Sequence, residues 1–375
     1  MITFLLGNGF DRALGLETGY GAFYEWYCNR PVKGLTPWVK AFREEINKYI
    51  TKDPAAEAYW SDAEVGLGQY TERFTLETVD RYIDCYNDFR DNLVTYLKNQ
   101  QELVETELVE KMKTHFGPQL AECFQEIDPL EKPDVISVRN QITAREVLLN
   151  FVCFNYTNAI EQVFDALRTD ALGEWRGADG IMHKLKMGRL VRAHGTLEKW
   201  PIIGVCDLHS IKNQELLKSP LFKATIQKSE SITVSGELWR RTATELIKNN
   251  QIICVFGMSL GETDSDYWEM VTEWLAGSAS RHLVVFWYDV KSDNVNMSIP
   301  AKFTEVNSVK EKLRDFSAWT ASGYESIKKR IHVVLKPQKM FALPNGCKIQ
   351  QPDVDPIPVV DGETVVFDCG GASVV

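Results

Sequence analysis

Ile2 to Leu6 is a short apolar run, and Gly7-Asn8-Gly9-Phe10-Asp11 follows it at once, leading into a helical pattern. A strand that ends in a Gly-x-Gly turn and opens a helix constrains the fold more than any other segment here. The missing Cβ atoms let backbone approach a phosphate, and the N–H groups of the first helical turn face it. The same residues also suit a plain strand-to-helix turn, with Asp11 as an acid complementing the helix dipole. Three later segments decide how far to press the first reading.

Short apolar runs recur along the chain. Val147 to Phe154 ends at Asn155-Tyr156-Thr157, Leu190 to Ala193 leads into His194-Gly195-Thr196, and Ile202 to Val205 follows. Ile252 to Phe256 runs into Gly257-Met258-Ser259, with Asp264 and Asp266 shortly after, and His282 to Tyr288 and Ile331 to Leu335 complete the set. Helical periodicity lies between them at Ala159 to Arg168, Gly236 to Lys248, Asp266 to Leu275 and Val309 to Ser317. Strands alternating with helices argue for an α/β fold, a mostly parallel sheet with helices on both faces. The stretch from about Tyr20 to Asn150 reads as mostly helical, with clear periodicity at Ala41 to Ile50, Leu76 to Lys98 and Gln101 to Lys113. It is expected to be a large insertion after the first strand, capping one edge of the site. We expect one domain over 1–336, with the insertion at about 20–150, and an appendage of turns and short strands over 337–375.

In open parallel sheets ligands bind at the carboxyl ends of the strands. Small, polar or titratable residues follow four separate apolar runs. Each has a bland reading alone: Asn155 as a strand terminator bonded to backbone, His194 as a turn histidine, Gly257 and Ser259 as loop residues, Asp264 as a helix cap. Together they point to a pocket. Trp60-Ser61-Asp62-Ala63-Glu64 sets two carboxylates beside an aromatic ring, and a capped helix start with Trp60 packed beneath is the favoured reading. Cys206, Asp207 and His209 are scattered candidates for a nucleophile or metal site, but no complementary ligand set accompanies them, and no metal is expected. His115, His183, His282 and His332 have no motif context.

The totals exclude several classes. The 42 Lys and Arg against 52 Asp and Glu give a formal net charge of -10, which argues against broad nucleic-acid binding. No two of the eight cysteines form a Cys-x-x-Cys pair, so a zinc ribbon or redox dithiol is not expected, and the usage suits a reducing, cytoplasmic compartment. The opening apolar run is too short for a signal peptide, and no stretch suits a membrane span.

Leu5-Leu6-Gly7-Asn8-Gly9-Phe10-Asp11, with Gly15 to Tyr20 and Phe23, resembles the start of the AbiH family of phage abortive-infection proteins. Phe154 to Asn158 with Glu161, then His194-Gly195 with Ile203-Gly204-Val205, resemble further blocks. So do Val255 to Leu260 with Asp264 and Asp266-Tyr267-Trp268, and Trp60 to Glu64 is similar to a Trp-x-x-x-Glu segment. A more distant likeness runs to sirtuin-like, Rossmann-type NAD-cleaving domains. It implies a cytoplasmic antiphage protein that binds NAD and hydrolyses its nicotinamide–ribose bond, with Asn155 and His194 catalytic. It further implies that Gly7, Asn8, Gly9, Phe10, Asp11, Tyr156, Thr157, Gly195, Gly257, Ser259 and Asp264 line the dinucleotide. A homo-oligomer and a phage or host protein trigger are expected. The alternatives are a nucleotide-sensing or partner-binding module without turnover, and a metal-dependent nuclease using Glu64, Asp207 or Asp264. The sequence departs from the sirtuin pattern at Asn8, at Thr157, at Gly19-Tyr20 and in lacking a four-cysteine zinc module, which makes protein deacylation a poor fit.

Overall fold

The computed structural model describes residues 1–168, 171–199, 201–206, 208–235, 239–288, 298–344, 347–349 and 351. Its strands are β1 (Ile2–Leu6), β2 (Glu146–Cys153), β3 (Gly173–Arg176), β4 (Met182–Arg192), β5 (Ile252–Phe256), β6 (His282–Trp287) and β7 (Ile331–Leu335). They join into one sheet in the order β3-β4-β2-β1-β5-β6-β7. Every neighbouring pair is parallel except β3–β4, which is antiparallel. β1 lies inside the sheet, with Phe4 level with Phe151 on one side and Cys254 on the other. A strand so placed is buried on both faces, which is why β1 and β5 are wholly apolar or nearly so.

Alternate strand residues feed cores on opposite faces. Ile2, Phe4 and Leu6 pack with the helices Thr106–Ala121, Lys132–Asn140 and Ala159–Leu167. Leu5, Ile253 and Val255 pack with Trp239–Lys248, Ser265–Ala276 and Ile299–Asp315. The mixed α/β architecture and mostly parallel sheet expected from the apolar runs are therefore present. A third core, built around Phe23, Phe42, Trp60 and Phe89, gathers the helices Tyr20–Cys28, Pro37–Ile50, Ala63–Tyr70 and Val79–Glu102. Leu197, Ile203, Val205 and Phe222 join it from a later part of the chain. This helical cap meets Tyr156 after β2 and Leu197 and Ile203 after β4, and Asp62 accepts from the Thr263 hydroxyl beyond β5 (3.3 Å), so it covers the carboxyl edge of the sheet. The helices between 106 and 140 belong instead to the face of the sheet beside β1.

Three elements depart from the sequence reading. β4 begins at Met182, eight residues before the expected Leu190, and pairs with the edge strand β3, which no apolar run announces. The expected strand at Ile202 to Val205 forms only an isolated bridge, Val205 to Gln227. Three of its backbone groups are taken by side chains: Tyr156 and Tyr86 hydroxyls donate to the carbonyls of Ile202 (2.7 Å) and Ile203 (2.9 Å), and the Gly204 N–H donates to Glu64 (3.2 Å). After Pro337, Met340, Phe341 and Leu343 enter the core beside β1. The Phe341 ring lies 4.8 Å from Phe256, 5.1 Å from Phe10 and 5.2 Å from Phe116. Most of the remaining 337–375 segment lies outside the described residues. Among the described residues no helix is long and apolar enough to cross a membrane, and seven cysteines are unpaired thiols.

Candidate functional site

The turns after β1 and β5 touch backbone to backbone. A Cβ on Gly9 would stand 2.4 Å from the Gly257 Cα, and one on Gly7 would stand 2.6 Å from the Gly257 oxygen. Gly257 itself has φ +68°, a left-handed conformation that favours glycine. The Gly7 N–H donates to the Phe256 carbonyl (3.0 Å) and the Gly9 N–H to the Gly257 carbonyl (2.8 Å). These glycines are thus required by the seam between two turns, and their amides are already engaged. Asn8 between them is exposed, with its amide donating to the Thr18 carbonyl (2.9 Å) and its oxygen accepting from the Thr18 hydroxyl. Phe10 points into the core, edge-on to Phe116 and Phe341.

Asp11, two residues past the seam, is buried and bridges to the end of β2. Its carboxylate accepts from Asn155 Nδ2 (2.9 Å) and Thr157 Oγ1 (2.7 Å). Burial pushes the Asp11 carboxyl up to about 6, against the opposing pull of those two hydrogen bonds and of Arg192. Arg192, the last residue of β4, donates to the carbonyls of Asn155 (2.8 Å) and Thr157 and to both carboxylate oxygens of Glu161. A single buried guanidinium therefore fixes the turn that carries Asn155, Tyr156 and Thr157. Asn155 Oδ1 is left buried without a hydrogen-bond partner.

On the neighbouring strand, the chain turns at Gly195 (φ +80°) just after His194. The His194 ring is boxed by Phe154 at 5.2 Å, with Tyr156 and Tyr267 each at 6.3 Å. Its buried Nε2 lies 3.1 Å from Asp264 Oδ1, within ion-pair and hydrogen-bond reach of that carboxylate. Burial, followed by the Lys228 ammonium, holds the imidazole below its ordinary pKa, while Asp264 pulls the other way.

Lys228 ties this histidine to the cap. Its Nζ donates to Asp264 Oδ1 (2.9 Å), to the Thr263 carbonyl (2.8 Å) and to Glu64 Oε2 (2.8 Å). Burial opposes the charge of Lys228, but Asp264 and Glu64 outweigh it and hold the ammonium protonated. Burial likewise works to raise Asp264, yet Lys228 and His194 hold its carboxyl well below the usual carboxylate range. Burial pushes Glu64 up to about 8; Lys228 pulls it down, and Asp62 and Asp264 add to the rise. Asp62 caps the helix Ala63–Tyr70 by accepting from the Glu64 and Val65 amides, with Trp60 fully buried below it. Both the cap reading of this segment and a place for Glu64 in a polar cluster are therefore present.

The sequence-derived candidates thus fall into three places: the glycine seam, the Asp11–Asn155–Thr157 bridge, and the His194–Asp264 contact. Tyr156 spans from the second to the cap through its bond to Ile202, and Ser259 is exposed beside the seam. Lys228 and Arg192 went unread because neither sits in a motif; Arg192 closes a strand, and Lys228 opens a weakly amphipathic helix. Asp207 lies outside the described residues, and among those described no group of three or more His, Cys, Asp or Glu side chains is placed to hold a metal ion. His282 and His332 meet each other 2.9 Å apart at the amino ends of β6 and β7, away from this edge.

No curated protein matches the chain. Residues 3–287 match a family model described as "Bacteriophage abortive infection AbiH", a span that takes in the glycine seam, Asp11, Glu64, Asn155, Arg192, His194, Lys228 and Asp264. The chain belongs to the AbiH family of bacteriophage abortive-infection proteins.

Proposed function

We propose that this AbiH protein acts in abortive infection by binding a nicotinamide dinucleotide at the carboxyl edge of its sheet and hydrolysing the nicotinamide–ribose bond. The observation that carries this reading is a buried polar atom without a hydrogen-bond partner, Asn155 Oδ1, following β2 beside the strand β4 that leads to His194. Buried polar groups are ordinarily satisfied, so an orphan at this strand end suits a polar ligand. The strand order supports it too. Taken alone, the six mutually parallel strands run β4-β2-β1-β5-β6-β7, the order of doubly wound, Rossmann-type dinucleotide-binding sheets, and the glycine seam lies where that order reverses.

Cleavage of the bond builds oxocarbenium-like character at the ribose. Asn155 Oδ1 would accept from a ribose hydroxyl or from water and orient it. Water adds to the ribose carbon as nicotinamide leaves, and the neutral His194 would take the proton the water gives up. With the Gly7 and Gly9 amides engaged, phosphate contacts would fall to the exposed Asn8 and Ser259. Incubation of the full chain with NAD, with and without extract of phage-infected cells, followed by assay of released nicotinamide, tests this. Release is expected from the wild type, with a loss of about 100-fold or more in Asn155→Ala and His194→Ala. Cleavage that survives both substitutions, or a wild type inactive in every condition, sinks it. The second reading, a nucleotide-sensing module without turnover, predicts nucleotide retained tightly by the purified protein and no nicotinamide released.

A further inference from the structure

Two carboxylates flank one buried ammonium. Glu64 Oε2 and Asp264 Oδ1 sit 2.8 and 2.9 Å from Lys228 Nζ, and the Thr263 carbonyl takes a third contact at 2.8 Å. An ammonium has three donors, so Lys228 is fully satisfied and has none left for water. The Glu64 and Lys228 side chains are 7% and 3% exposed, which denies their charges the help of solvent. In such a site one cation balances one anion, and the second carboxylate is neutralised by a proton.

The surroundings decide which carboxyl that is. Asp264 faces both Lys228 and the Nε2 of His194, whose N–H in the neutral tautomer points to the carboxylate 3.1 Å away. Glu64 faces Lys228 and the Gly204 N–H, but also Asp62 on its own helix, Asp264 from the sheet edge, and Tyr20, Tyr86, Tyr156 and Cys206 from the packed elements. Apart from Lys228, none of these groups supplies a positive charge to Glu64. His194 meanwhile looks at Asp264 and Lys228, with its ring held by Phe154, Tyr156 and Tyr267.

We propose that Lys228 is a positioning residue for His194: by satisfying Asp264 it keeps the imidazole uncharged and able to accept a proton, while Glu64 carries the proton that balances the cluster. The catalytic meaning of this rests on the reading of His194 as proton acceptor, whereas the charge assignment stands on the cluster alone. Without Lys228, Asp264 has only His194 to neutralise it, and the imidazole becomes the cation.

The test follows the His194 ring signals against pH by NMR in the full chain without nucleotide, assigned by their loss in His194→Gln. Lys228→Met is expected to raise the His194 titration midpoint by at least about one pH unit, and Glu64→Gln, an isostere of the protonated acid, to leave it in place. A folded Lys228→Met protein with an unmoved midpoint overturns the proposal. So does a fall in the midpoint in Glu64→Gln, because it would mean that an ionised Glu64 had been lost. If Lys228→Met does not fold, Glu64→Gln and Asp264→Asn decide, the latter with an expected fall in the midpoint. If the midpoints move as stated but no nicotinamide is ever released, the charge assignment stands and the hydrolase reading fails. In an active protein, the acid limb of the rate profile moves to higher pH with the midpoint in Lys228→Met, a shift that a purely structural role would not produce.

Discussion

Asp11 shows how a residue changes meaning once its distant neighbours are known. By sequence it is an acid in the first turn of a helix or one wall of a pocket; in the fold it receives Asn155 and Thr157 from 144 and 146 residues away. No local pattern carries that information. Asp11→Ala leaves two buried donors unmatched and should destabilise the protein by about 2–4 kcal/mol, measured by urea unfolding. The pH dependence has a definite sign. The folded carboxyl titrates at about 6 against an ordinary value of 3.8, so the folded state holds its proton more tightly. Stability from this group is complete below about pH 4 and falls as pH rises through 6, by about 3 kcal/mol. The gap between wild type and Asp11→Ala should therefore narrow from pH 4 to pH 7.

Elements were legible where apolar residues are dense. β1, β5 and β7 occupy the spans their sequences suggest, because their runs are apolar apart from one polar residue each in β1 (Thr3) and β7 (His332). β3 and the first half of β4 were not, because an antiparallel edge alternates with charge: Lys184 and Lys186 separate His183, Leu185 and Met187. Ile202 to Val205 fails as a strand for a different reason, since tyrosines and a glutamate from other elements capture the Ile202 and Ile203 carbonyls and the Gly204 N–H between its backbone-bonded ends. Among the site residues, those directly after strong strands could be picked out, and Lys228 could not, because only tertiary packing gives it partners. The helix Ala63–Tyr70 offers an element-scale test. A Cβ on Gly66 would lie 2.2 Å from the Trp60 ring, which the cap core holds rigidly. Gly66→Ala should lower stability by about 1–3 kcal/mol through overpacking, read by thermal unfolding, and Trp60 fluorescence should report the ring's displacement.

At the scale of the molecule, two sheet-face cores and one cap core meet at the carboxyl edge, and the family match ends at residue 287 while β7 and Phe341 lie beyond it. The sheet is thus completed by residues outside the matched span. Phe341→Ala removes a ring shared among Phe4, Phe10, Phe116 and Phe256 and should destabilise the whole molecule by about 3–5 kcal/mol in urea unfolding. The place of that ring along the chain also has a bearing on biosynthesis. A ribosome reaches Phe341 more than three hundred residues after Phe4 and Phe10. Until then the nascent chain carries an unsealed aromatic face, a natural binding target for chaperones that hold emerging polypeptides. Completion of this layer therefore waits on the synthesis of Phe341, and partial chains cut short before it lack that seal.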